Sequence, residues 1–125
     1  MKGIFVHQLS RNGVKYADAI VDGLKPIETR TRNMLGGLEG ERVAIVRTMS
    51  GSVPTVIGYA DLVRYEFCPY CLFEMYRNET LIPPGSRYDV SGRGKWFYHM
   101  ANPERCEPYP LPSSAIRHGR SWCEF

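Results

Sequence analysis

The sequence predicts an α+β fold: a small mixed β-barrel or sandwich of five to six strands with two short helices. Three observations carry this. Segments 3–9, 43–49, 55–65 and 96–100 are short, rich in β-branched and aromatic residues, and bounded by glycine, proline or serine turns. Apolar residues fall at helical spacing in two places, Tyr16/Ala19/Ile20 and Leu72/Met75/Tyr76. Gly58 sits inside the longest strand pattern, where a bend or bulge lets a sheet curl toward closure. Periodicity alone leaves barrel and sandwich open.

Taken in order, residues 3–9 read as a first strand and 10–13 as a turn. Residues 14–22 read as a helix with Tyr16, Ala19 and Ile20 facing the core, stopped by Gly23 and barred from continuing by Pro26. A charged strand follows, then the glycine-rich turn 34–41. The run Val43-Ala44-Ile45-Val46 is apolar on both faces, as in a buried strand. Residues 55–65 form the next strand. A second helix is expected over 69–78 with Pro69 in its first turn, followed by a loop over 82–95 containing Pro83-Pro84-Gly85 and Gly94. Trp96 opens a strand to Met100. Residues 108–112, with three prolines, read as an extended segment covering a sheet edge. Residues 120–125 read as a last strand.

The 125 residues, 43% hydrophobic, suit one domain over 1–125 with a single core. The net charge of +3 permits an anionic partner without requiring one. No segment approaches the roughly 20 apolar residues of a membrane helix. The apolar run at the start is too short for a signal-peptide core, so a cytoplasmic setting without a membrane partner is expected. The four cysteines are then thiols or metal ligands rather than disulfides.

The densest charge lies in Gly23-Leu24-Lys25-Pro26-Ile27-Glu28-Thr29-Arg30-Thr31-Arg32. Strand alternation puts Ile27, Thr29 and Thr31 on one face and Glu28, Arg30 and Arg32 on the other. A salt-bridged solvent face has the same pattern. Gly23, Lys25, Glu28 and Arg30, in this order, resemble the G-x-K-x-x-E-x-R signature of the ASCH domain family. That resemblance spans about residues 3–123, with 66–95 fitting least. It implies a PUA-like barrel, a superfold whose members read RNA and modified bases, and a charged cleft between barrel and helix.

Lys25, Glu28 and Arg30 are accordingly the candidate catalytic residues. A lysine desolvated beside a carboxylate serves as a base or proton shuttle, and an arginine fork holds a phosphate, a carboxylate or a base edge. Some ASCH-like proteins resemble amidohydrolases of N4-acylated cytidines, with a lysine, a threonine three residues on, and an arginine two further. Here Lys25 and Arg30 match, whereas Glu28 stands at the threonine position and Thr29 beside it points to the opposite strand face. Glu74 or Glu79 would supply the further acid.

The candidate ligand-binding residues are Arg32, Arg87, Tyr88, Arg93, Lys95 and Trp96, where bases held by cations and stacked on rings give single-strand recognition. Trp96 equally fits an ordinary core strand. Cys68-Pro69-Tyr70-Cys71 has the spacing of redox proteins without their β-α-β context. A structural zinc on Cys68, Cys71, Cys106 and Cys123 is the metal alternative to no cofactor. The three histidines are single and scattered: His99 reads as packed, with a pocket-facing position as the alternative, and His118 with Arg117 and Arg120 as a solvated turn.

Two functions follow. One is a binding domain for RNA, single-stranded nucleic acid or a modified nucleoside. The other is a hydrolase on the same cleft, an amidohydrolase or a ribonuclease. The sequence does not set the oligomeric state.

Overall fold

In the computed structural model, which describes residues 1–9 and 13–125, the expected turn at 10–13 lies mostly outside the described residues. One sheet of seven strands runs through the chain: β1 (Lys2–His7), β2 (Ile27–Arg30), β3 (Arg42–Thr48), β4 (Thr55–Pro69), β5 (Gly94–Pro110), β6 (Ile116–His118) and β7 (Trp122–Glu124). Their spatial order is β2-β5-β4-β3-β1-β7-β6. Only β1 and β3 pair in parallel, so the sheet is mixed. Two short α-helices, α1 (Tyr16–Val21) and α2 (Arg77–Thr80), complete the α+β fold the sequence predicts. The strand count exceeds the expected five to six because residues 116–118 pair with β7 instead of forming a turn. β2 and β6 are the two edges and do not pair with each other, so the barrel is open.

Alternation along the central strands feeds two apolar layers. Val43 and Ile45 of β3 join Ile4, Val6, Ile57 and Leu62 on one face. Ala44 and Val46 join Phe5, Val56 and Cys123 on the other. This explains why Val43 to Val46 carries no polar residue: both sides are covered.

The β4–β5 ribbon supplies the curl. Its register shifts three times, between Val56 and Gly58, Tyr59 and Asp61, and Leu62 and Arg64. At Gly58 an added Cβ would lie 2.3 Å from the Glu104 carbonyl oxygen and 2.7 Å from Val21 Cγ1. The bend inferred at this glycine is therefore a place where two strands and α1 approach too closely for any side chain.

Three expectations need correction. Residues 70–76 wind as a 3-10 helix, with α2 covering only the last turn, and Pro69 ends β4 rather than starting a helix. Three residues per turn puts Phe73 and Tyr76 on one face, over Phe97 at 5.8 and 5.1 Å between ring centroids, and leaves Leu72 and Met75 exposed. Residues 108–110 do not cover an edge; they continue β5 and pair with β4 at Thr55 and Val56. Prolines are tolerated there because β2 pairs with β5 only at Trp96–His99, which leaves the far side of this stretch without a partner strand.

Candidate functional site

Lys25 is placed by the end of α1. Gly23, at φ +78°, turns the chain, and the amides of Leu24 and Lys25 both donate to the Ala19 carbonyl at 2.9 and 3.0 Å. Pro26 then starts the extended backbone, its carbonyl accepting from the Met100 amide at 2.8 Å. The Lys25 side chain is thereby driven inward and is 1% exposed. Its Nζ donates to the Thr80 carbonyl of α2, lies 3.8 Å from Glu28 Oε1, and sits 5.0 Å from the centre of the Tyr16 ring. Burial pulls its pKa down to about 8; Glu28 opposes this, and Arg30 and Lys95 add to it.

Glu28 is buried with both oxygens engaged. Oε2 accepts from Arg30 Nη2 at 3.0 Å, and Oε1 accepts from the Thr29 amide at 3.1 Å. Arg30 Nη2 also donates to the Phe5 carbonyl at 2.5 Å, so one guanidinium links edge strand β2 to β1 across the open side of the sheet.

These groups form one wall of a cavity of about 520 Å³. Phe5, Val6 and His7 of β1 line it as well. Tyr16 closes one side, with Tyr88 set edge-on against it at 5.7 Å between centroids and 86° between planes. The two-faced reading of β2 fails at this point. A four-residue edge strand turns its free edge, not one face, to the cavity, so Glu28, Thr29, Arg30 and Thr31 all line it.

Arg87, Tyr88 and Lys95 also reach the cavity. The loop carrying Arg87 and Tyr88 is tied down by Asp89, whose carboxylate accepts from Arg77 Nη1 at 2.7 Å and from the amides of Gly85 and Val90 at 2.6 and 2.7 Å; Lys95 is the second residue of β5. Lys95 is buried, which lowers its pKa, and its Nζ donates to Thr31 Oγ1 at 3.3 Å. Arg32, Arg93 and Trp96 do not line the cavity. Trp96 is half-buried against Tyr65 and Phe67, at 6.0 and 5.4 Å between centroids. Glu74 pairs with Arg77, and neither Glu74 nor Glu79 lines the cavity.

The four thiols are not gathered. Cys68 packs in one apolar layer and Cys123 in the other. Among the described residues no three His, Cys, Asp or Glu side chains group as metal ligands. Burial raises the thiol pKa of Cys68 and Cys123, the opposite of what a reactive thiolate needs.

Sequence reasoning missed Tyr16, His7, Arg117 and Arg120. Tyr16 has the spacing of a core residue, which it is, but its ring also covers the lysine. Arg117 lies on β6 and Arg120 on the turn to β7, and these three-residue strands leave almost no periodic signal.

Three solved structures share this arrangement of strands and helices. The ASCH protein of Zymomonas mobilis is 22% identical, with 87% of this chain and 73% of that one covered and a TM-score of 0.69. Two single-residue variants of it give 24% identity, 89% and 77% coverage and a TM-score of 0.68, and 25%, 87%, 74% and 0.67. The chain has the fold of an ASCH domain. No protein-family model matches the sequence, and neither does any curated protein. The ASCH-type resemblance of Gly23, Lys25, Glu28 and Arg30 thus falls on a chain of ASCH fold, and three of those four residues line the cavity beside β2. No helix among the described residues is long and apolar enough to cross a membrane.

Proposed function

We propose that residues 1–125 form one ASCH-type domain that binds RNA, single-stranded nucleic acid or a single nucleotide-like group in the cavity above β2. The observation that carries this is the charge of the lining. Among the described residues Lys25, Arg30, Arg87, Lys95, Arg117 and Arg120 line it with Glu28 as the one carboxylate. A volume of about 520 Å³ lies in the range of small-ligand sites and is far too small for a folded partner. Tyr16 and Tyr88 offer aromatic surface to a base. Glu28 already accepts from Thr29 and Arg30 beside Lys25, so its role is to fix the cations more than to meet the guest directly.

The test is titration of short labelled RNA at several salt concentrations. Affinity should fall with a log–log slope of roughly −0.7 per phosphate contacted. Arg30→Ala should weaken binding. No binding at low salt removes the proposal.

A hydrolase on the same cavity is the second reading, favoured by Lys25. A lysine with a pKa of about 8 beside a carboxylate is partly neutral near physiological pH, as a base must be. Lys25 would move the proton, Glu28 would hold Lys25, and Arg30 would meet developing negative charge. Turnover of an N4-acylcytidine or of labelled RNA that disappears in Lys25→Ala supports this reading. Intact binding without turnover leaves the binding domain.

A further inference from the structure

The β6–β7 hairpin brings two arginines, Arg117 of β6 and Arg120 of the turn, to the mouth of the cavity. Gly119, at φ +62°, reverses the chain between Arg117 and Arg120. His118, between them in sequence, is held back from the cavity: its ring stacks on Trp122 at 3.9 Å and 14°, and its Nε2 lies 2.8 Å from Glu124 Oε2. Arg117 lies 5.6 Å from the centre of the Phe5 ring, and Phe5 is also the residue whose carbonyl Arg30 grips. The arginines of the hairpin are therefore neighbours of the β2 site.

Among the arginines that line the cavity their pairing sets them apart from Arg30; outside it, Arg32 and Arg93 likewise form no ion pair among the described residues. Arg30 has Glu28, Arg77 has Glu74 and Asp89, and Arg105 has Asp18 and Asp22. Among the described residues, Arg117, Arg120 and Arg87 have no carboxylate within ion-pair distance, and all three are exposed cavity residues. Deep in the cavity Glu28 stands among Lys25, Arg30 and Lys95, beside tyrosines; at the mouth three exposed guanidiniums add positive charge with no carboxylate of their own. A neutral nucleoside would leave the guanidiniums of the mouth unpaired. A guest with a phosphate beyond its sugar would pair with them, since guanidinium forks bind phosphate oxygens in pairs.

We infer that the β6–β7 hairpin, through Arg117 and Arg120, is a phosphate site and that the cavity takes a phosphorylated nucleotide or nucleic-acid end in preference to a neutral nucleoside. This rests on the nucleotide-binding reading above. The experiment is calorimetric titration, at low salt, of the four ribonucleosides, their 5′- and 3′-monophosphates and inorganic pyrophosphate. It uses the wild-type chain, Arg117→Ala/Arg120→Ala, and Arg64→Ala as a charge control remote from the cavity. The expected result is a monophosphate bound at least about tenfold tighter than its nucleoside, with that ratio lost in the double variant and kept in Arg64→Ala. Equal affinities in the wild type, or a ratio that survives the double substitution, overturn the inference while leaving the cavity a nucleoside site. Pyrophosphate binding that depends on the two arginines, without any nucleoside or nucleotide binding, would keep the phosphate site and remove the nucleotide reading. No binding of any probe removes both. Both side chains are exposed, so the variants keep the fold.

Discussion

Lys25 makes a prediction whose sign separates two accounts of the site. If its contact with Glu28 dominated, its pKa would stand above that of a free lysine. Burial instead brings it from 10.5 down to about 8. Between those values the unfolded chain holds a proton that the folded chain has lost, so unfolding takes up a proton and stability rises with pH. The contribution is full above about 10.5 and is lost as pH falls through about 8. A gap of about 2.5 units at 1.36 kcal/mol each is about 3 kcal/mol. Cysteines and tyrosines titrate in the same window, so the measurement is a difference. Urea midpoints of the wild type and Lys25→Met are compared from pH 7 to 10.5. The wild type should gain on the variant by about 2–3 kcal/mol across that range. A flat difference, or one that falls above pH 10, would refute the claim that burial outweighs the ion pair.

Other substitutions test the scaffold. Arg30→Ala frees one Glu28 oxygen and the Phe5 carbonyl together and should cost about 2 kcal/mol in urea denaturation. Gly58→Ala places a methyl 2.3 Å from the Glu104 carbonyl and should cost at least about 1–3 kcal/mol; a neutral result would show that the β4–β5 ribbon gives way freely. Asp89→Ala should speed amide exchange at Gly85 and Val90 and weaken nucleotide binding, since Arg87 and Tyr88 ride on the loop that Asp89 ties.

Much of this was legible in the sequence, for reasons visible in particular residues. Val43 to Val46 announced a strand covered on both faces, and Gly58 announced a bend, because burial and close approach restrict residue type directly. The Lys25, Glu28 and Arg30 cluster was legible through its resemblance to the ASCH signature, since its alternation alone fits a salt-bridged solvent face as well. The face it presents was not, because alternation describes strands that pack by a face and β2 works by its free edge. Residues 70–76 misled because Leu72, Met75 and Tyr76 fit an α-helical template by chance, while the 3-10 turn buries Phe73. Arg117 and Arg120 read as a solvated turn: what matters is that the fold brings them to the same cavity as β2, about ninety residues earlier, and no local pattern encodes it.

The central claim is that the cavity over β2 receives a nucleotide. Its most direct test is amide chemical-shift mapping with a 5′-mononucleotide added to labelled protein. The largest shifts should fall at Tyr16, Thr29, Thr31, Tyr88 and Gly119, all around one cavity. Shifts centred on Phe67 and Trp96, or none at millimolar nucleotide, would contradict it.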